Sequence, residues 1–394
     1  MRKSNTSGLL SSSYLQICLG NFLLFISRYM LLPMLPVVMA GRLGVSLAFT
    51  GSIFVLLTAG MFLAGPFYSY LMDTYKRKYI CLLSFAIMLL VNAACLFVQT
   101  PVEFMLLCLV HGISFGLATT TSITLAIDLT NPGKRSASNV VFGWTSRFGM
   151  MMGVAAGIAI FMYRGFDEVV YLSAAVGGVG ILLINMLYVP FRAPIGSKLC
   201  TTDRFLLGRG WIPLLNMILI ALIPSVLITL VPDTYKCVVL MGYSIPFFAV
   251  VGTGFFISAV FLKLLFKEDN FLGQIISGLV VMILATALLA FPVAGSTTAP
   301  GAVLLGIGMG LVTPEFLLMF VKLSQHCQRG TANTMHLLSW ETGISIGIAI
   351  ACYTTAQIPE SLPVLYRFCL AMAVLSLLFF LLVTYPYFKK KRFR

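Results

Sequence analysis

The chain has 394 residues, of which 59% are hydrophobic and 10% charged, and its mean hydropathy is +1.00. A soluble domain carries about 25% charged residues. This composition therefore excludes a globular protein built on one large core and requires a chain that crosses a membrane several times. The net charge of +14 does not point to nucleic acid, because the positive residues are sorted by loop, which is a signature of membrane topology.

Arg2 and Lys3 lead into a first apolar stretch that is too long for a signal peptide and has no small-residue cleavage site. A span needs about 20 apolar residues. That rule predicts twelve, over 14–39, 45–71, 79–99, 102–126, 137–162, 169–189, 210–231, 237–262, 271–293, 299–323, 332–354 and 363–386. Gly and Pro punctuate several, as membrane helices tolerate. An even number of spans puts both termini on one side. Lys76, Arg77 and Lys78 follow span 2, Lys134 and Arg135 span 4, Lys267 span 8 and Arg329 span 10. Arg192, Lys198, Arg204 and Arg209 lie between spans 6 and 7, and the tail runs Lys389-Lys390-Lys391-Arg392-Phe393-Arg394. The other side carries only Arg42, Arg164, Lys236 and Arg367. The positive-inside rule then makes both termini cytoplasmic. It does the same for the 190–209 linker, the longest polar stretch, which separates a six-helix bundle over 1–189 from a second over 210–394 with its short basic tail. The expected fold class is an all-α membrane protein of twelve transmembrane helices in two pseudo-symmetric six-helix bundles.

A repeat supports that division. Gly112-Ile113-Ser114-Phe115-Gly116-Leu117-Ala118-Thr119 returns 194 residues later as Gly306-Ile307-Gly308-Met309-Gly310-Leu311-Val312-Thr313. The same offset, without a gap, pairs Arg135 with Arg329, Asn139 with Asn333, Gly149 with Gly343 and Gly153 with Gly347. The matches fall mostly on Gly, Arg and Asn rather than on interchangeable aliphatics. Two parallel-oriented halves place a substrate site between them, near the bilayer midplane. Glycines four apart give a helix a flat face that lets backbones approach. Gly112 and Gly116, Gly149, Gly153 and Gly157, Gly306 and Gly310, and Gly343 and Gly347 are such sets. They are read either as surfaces that slide when the halves rock or as plain close packing.

Ionisable residues in the hydrocarbon cost about 2.5–3.5 kcal/mol each on insertion scales and so ask for a reason. Four lie near mid-depth: Arg28 in span 1, Arg147 in span 5, Glu315 in span 10 and Glu341 in span 11. Both bases are in the first half and both acids in the second. The repeat superposes Arg147 on Glu341, so these two are expected to pair across the halves, either at a substrate site or as a structural bond. Two arginines facing two acids make an anionic or zwitterionic small molecule a second candidate beside a hydrophobic drug-like one, since guanidinium grips carboxylate bidentately. His111 and His336, within spans 4 and 11, are either proton relays or packing residues. Trp144, Trp340, Phe142 and Phe148 line the cavity or contact lipid.

The nine Cys are scattered, without a CxxC pair or a His/Cys cluster, so no disulfide frame, metal or cofactor is expected. Three His and no nucleophile cluster argue against an enzyme. No Gly-rich loop ending in Lys-Ser or Lys-Thr is present, which removes ATP as a driver.

Twelve spans, a six-plus-six repeat and a basic loop after span 2 resemble the major facilitator superfamily over essentially the whole chain. Leu31-Leu32-Pro33-Met34-Leu35-Pro36, His111-Gly112-Ile113-Ser114-Phe115-Gly116 and Arg329-Gly330-Thr331-Ala332-Asn333 are similar to its multidrug and metabolite efflux branch. In the loop motif Asp73, Arg77 and Lys78 match, while Ser69 and Lys76 replace glycines. The branch's span 4 arginine falls at Cys108. In the span 5 motif Gly149, Gly153 and Gly157 match, with Val154 in place of Pro and Ile158 in place of Gly. The resemblance implies a monomeric secondary transporter in a bacterial inner membrane, exporting a small organic molecule in exchange for protons by alternating access. It makes Glu341 the first choice for proton coupling, with Glu315 beside it. It also makes Asp73, Lys76, Arg77 and Asp128 a latch on the cytoplasmic side. The rivals are an importer or facilitator of a polar or anionic metabolite and a transport-inactive sensor.

Overall fold

Apolar runs of this length leave their backbone amides no partner but one another, so the chain is helical almost throughout. The computed structural model describes residues 11–130, 135–189, 198–202, 204–229, 237–240, 243–262, 271–292, 297–325, 328–358 and 360–392. The loop charges Lys134, Arg192, Lys236, Lys267 and Arg394 lie outside them, as do both ends of the chain.

The first half contains α1 (Ser12–Leu31), α2 (Leu35–Leu43), α3 (Leu47–Ile53), α4 (Val55–Ala64), α5 (Tyr68–Thr74), α6 (Arg77–Ala94), α7 (Pro101–Asp128), α8 (Arg135–Arg164) and α9 (Phe166–Asn185). The Ser11 hydroxyl accepts the amide of Tyr14 and starts α1. α1 stops just ahead of Pro33, which brings no amide donor to a helix interior. Span 1 of the sequence reading is thus two helices. Span 2 is divided as well, with α4 ending ahead of the Gly65–Phe67 turn that holds Pro66. Thr100 and Glu103 form a capping box at the start of α7, each side chain taking the other residue's amide.

The second half contains α10 (Trp211–Ile228), β1 (Cys237–Leu240), β2 (Tyr243–Pro246), α11 (Phe247–Ile257), α12 (Phe271–Ala290), α13 (Thr298–Leu323), α14 (Arg329–Gln357), α15 (Ser361–Phe379) and α16 (Tyr385–Lys391). Here the expected eighth span is corrected. Residues 237–240 and 243–246 of it pair as antiparallel strands, with Cys237 opposite Pro246 and Leu240 opposite Tyr243. Only Phe247–Val260 continues as an apolar helix. Val238, Val239 and Ile245 are β-branched, which favours a pleated surface, and Pro246 ends the pairing and precedes α11. Among the described residues eleven helices are long and apolar enough to cross a membrane, and this shorter one holds the eighth position.

The two halves pack alike. α1 lies against α8 and α9, α6 against α7 and α9, and α4 against α7. Correspondingly α10 lies against α14 and α15, α12 against α13 and α15, and α11 against α13. The glycines make these contacts possible. A Cβ on Gly112 would sit 1.9 Å from the Leu57 carbonyl oxygen, and one on its repeat mate Gly306 would sit 2.0 Å from that of Val251. Gly149, Gly153 and Gly157 press on the α1 carbonyls of Phe22, Ile26 and Met30, while Gly343 and Gly347 press on α10, Gly116 on Tyr68 and Gly310 on Ser258. All these contacts lie inside a half. The glycine faces therefore hold each half together, and the boundary between halves is made elsewhere. α14 packs on α3 and α4, and α8 on α11 and α13.

A buried arginine–glutamate pair as the candidate functional site

Arg28, near the end of α1, and Glu341, twelve residues into α14, come from opposite halves of the chain and meet between them. Arg28 exposes 2% of its surface and Glu341 none. Arg28 Nη1 donates to Glu341 Oε2, forming an ion pair. The neighbouring Tyr29 hydroxyl donates to Glu341 Oε1 at 2.8 Å. α4 locks the same turn of α14. The Thr58 hydroxyl lies 3.2 Å from the Glu341 carbonyl oxygen and 2.8 Å from the Ser345 hydroxyl. The guanidinium carbon of Arg28 also lies over the Phe115 ring, 3.7 Å from its centroid. Both carboxylate oxygens are thus satisfied, whereas the Nε and Nη2 of Arg28 have no hydrogen-bond partner. An ion pair with so little solvent contact is held shut by desolvation. Removing either partner strands a charge that water cannot reach.

The expected partner of Glu341 was Arg147. The structure gives that place to Arg28, and Arg147 instead stacks on the indole of Trp340, 3.8 Å from the ring centroid. It is equally buried, with its Nη1 unpartnered. The repeat makes Arg147 and Glu341 equivalent in register, but equivalence by pseudo-symmetry does not make two residues neighbours. Trp340, which precedes Glu341, intercepts the Arg147 side chain. Glu315 is buried on α13, one residue after Pro314. His336, one turn before Trp340, is buried and sets its ring edge-on to Phe320. Tyr29 and Thr58 were missed by the sequence reading. The one signal for Tyr29 was its adjacency to Arg28, and a threonine inside a span carries no distinguishing mark.

A second polar cluster gathers at the far end of spans 2 to 4. Asp73 accepts from Arg77 Nη2 at 3.0 Å, and Arg77 Nη1 reaches Asp128 at 2.5 Å. Three of the four expected latch residues therefore meet. Lys76 stands apart, exposed at the start of α6, with its ammonium 5.7 Å from the Tyr79 ring. Its place beside Asp73 is taken by Arg204 of the linker, whose Nη2 lies 2.9 Å from the carboxylate. The amide of Arg204 donates to the Thr331 hydroxyl of α14 at 3.0 Å, so this one residue touches both halves. Its φ of +60° is unusual for a side-chain-bearing residue. Phe205 then packs edge-on to Phe62 and Tyr68 and fills the space over Gly65. Linker residues 190–197 and 203 lie outside the described residues.

Two similarly packed helical halves, joined across a buried charged centre, define a membrane carrier. The model of the Major Facilitator Superfamily matches residues 17–348, and the chain belongs to that family. It is a membrane transporter and not an enzyme. Three solved structures are similar over nearly their whole length. The human organic anion transporter MFSD10 (TETRAN) aligns with a TM-score of 0.67 at 15% identity, covering 94% of this chain and 100% of that one. A mutant of the nucleoside transporter NupG aligns with a TM-score of 0.67 at 14% identity, covering 94% and 99%. A mutant of the peptide transporter POT in complex with alafosfalin aligns with a TM-score of 0.68 at 14% identity, covering 96% and 95%. These likenesses establish the fold. No curated protein matches the sequence.

Proposed function

We propose that the protein is a secondary active transporter that exports a small organic molecule in exchange for protons, its two halves (1–189 and 210–394) rocking about the 190–209 linker. The observation that carries this reading is the Arg28–Glu341 pair. It joins the halves, it is buried, and it has a carboxylate that a proton can neutralise. Protonation of Glu341 removes the charge that holds Arg28, so the pair opens; loss of the proton closes it again. Occupancy by a proton then biases which conformation is populated, which is the requirement for coupling. Glu315, the other buried acid among the described residues, is assigned as a second proton-handling group, and Arg28 and Arg147 as substrate contacts.

At the opposite end Asp73, Arg77, Asp128 and Arg204 act as the latch of the closed side, with Lys76 as a topology charge. The loop charges support a reading with both termini and the linker in the cytoplasm, and in this reading the protein works as a monomer in a bacterial inner membrane. One observation favours a second reading, transport of an anionic metabolite in either direction: both buried guanidinium groups keep unpartnered N–H groups. MFSD10 is described as an organic anion transporter, which agrees with that reading.

The test is proton release from reconstituted protein on adding candidate solutes, comparing the wild type with Glu341→Gln. Release that vanishes in the variant supports exchange through Glu341. Solute binding with no release in either protein refutes proton exchange and leaves the facilitator reading.

A further inference from the structure

α15 and α16 run on as one helix, Ser361–Lys391, of 31 residues. At about 1.5 Å per residue it is about 46 Å long, whereas the hydrocarbon of a bilayer is about 30 Å thick. The surplus has to pass through a headgroup layer, and the sequence marks where. Tyr385 and Tyr387 are the amphipathic rings of an interfacial belt. Lys389, Lys390, Lys391 and Arg392 follow them at once, all four exposed. α10 crosses the same level beside this helix. Trp211, 48% exposed, opens α10, and the exposed Arg209 stands two residues before it. Arg209 Nη1 donates to the Lys391 carbonyl oxygen at 3.2 Å. Two neighbouring helices therefore pass from aromatic ring to base at one depth and are tied together there.

The tail is anchored as well. Phe388 is buried and stacks on Phe271 at the start of α12, with ring centroids 5.3 Å apart. A charge that only sets topology needs no fixed place, and these bases have one. Among the described residues none of the four tail bases is in an ion pair. Asp73 and Asp128 are taken by Arg77 and Arg204, and Asp203, Glu268 and Asp269 lie outside the described residues.

We infer that Arg209, Lys389, Lys390, Lys391 and Arg392 form a platform that binds the phosphates of anionic phospholipid headgroups in the leaflet they border. Ammonium and guanidinium groups both bind phosphate, the first as a point charge and the second as a fork. The aromatic belt sets the depth, which puts the bases level with lipid phosphates rather than out in solution. Clustered Lys and Arg next to a span gain from each anionic headgroup an attraction that a zwitterionic headgroup, with its own cation, largely cancels. The platform requires neither export nor proton exchange, and it stands or falls separately from them.

Trp211 is a built-in reporter, since it meets lipid beside Arg209. The test reconstitutes the full chain in vesicles of phosphatidylcholine and phosphatidylglycerol in equal parts, with the acyl chains of one lipid or the other brominated. Only the label changes between the two samples, and bromine quenches a nearby indole. The quenching that Trp211→Phe removes is the reading. Phosphatidylglycerol is expected to be enriched at Trp211 by at least about fivefold, the local gain that one base near an anionic surface gives. Replacing all five bases by Gln should bring the two labels within about twofold of each other. Lys389→Arg, Lys390→Arg and Lys391→Arg together keep the charge and should keep the preference. Equal quenching by both lipids in the parent overturns the inference, as does a preference that survives removal of the five charges. Inorganic phosphate should reduce the preference no more than sodium chloride of the same ionic strength. A greater loss in phosphate overturns the assignment to lipid, because the platform then takes the free anion.

Discussion

Glu341→Gln is the substitution with the most to say about how the halves are held. Glutamine keeps the size of the side chain and an acceptor for the Tyr29 hydroxyl, but it removes the charge facing Arg28. Taking one partner from a buried pair costs about 3–5 kcal/mol, because the remaining charge stays desolvated. The retained acceptor argues for the lower end, about 3 kcal/mol. That cost applies to the closed arrangement and not to one in which water reaches Arg28. At about 1.4 kcal/mol per tenfold, the ratio of closed to open protein should fall by roughly two orders of magnitude. Cys352 of α14 reports on this directly. It is 2% exposed, and a Cβ placed on Gly51 of α3, across the boundary, would lie 2.3 Å from its own Cβ. In a version retaining Cys352 as its one cysteine, a membrane-impermeant maleimide should label Glu341→Gln far faster than the parent. Arg28→Met combined with Glu341→Gln should return the rate most of the way, because a pair replaced on both sides leaves no stranded charge. A labelling rate that stays within about twofold of the parent in the single variant refutes the claim that this pair holds the halves together.

The remaining predictions concern packing and the linker. Gly112→Ala drives a methyl into the Leu57 backbone and should cost about 3 kcal/mol, the upper end of overpacking, seen as a lower melting temperature; Gly178→Ala, with open space around it, should be neutral or slightly stabilising. Arg204→Ala removes a partly exposed ion pair whose Asp73 keeps Arg77, so the loss should be below about 1 kcal/mol. It should appear as amide hydrogen exchange in residues 204–207 that is faster by no more than about fivefold, whereas Asp73→Asn should loosen this segment and the start of α6 together. Trp340→Leu leaves the Arg147 guanidinium without its aromatic face and should lower stability by about 2 kcal/mol or more when the lost packing is included; Trp340→Phe, which keeps a ring, should recover part of it in the same melting assay.

Much of the architecture was determined by the sequence alone. Span length, loop charge and glycine spacing are local properties, read residue by residue against the thickness of a bilayer, and they deliver the helices, the repeat and the family. The family resemblance likewise grouped Asp73, Lys76, Arg77 and Asp128, of which all but Lys76 meet. Three matters belonged to the tertiary structure. The segment 237–246 is apolar enough for a helix and β-branched enough for a strand, and a short apolar run does not distinguish them. The glycine faces could have lain within a half or between halves, since a flat helix face does not name its partner. The partner of Glu341 was the third. Arg28 and Arg147 are both buried cations of the first half, and the choice between them depends on how α1, α8 and α14 are rotated about their own axes. α14 is fixed by Thr58 and Ser345 on one side and by the α10 contacts of Gly343 and Gly347 on another. That rotation carries Glu341 to Arg28 and Tyr29 and sets Trp340 against Arg147. It results from many packed side chains at once, and so it is absent from any single stretch of the chain.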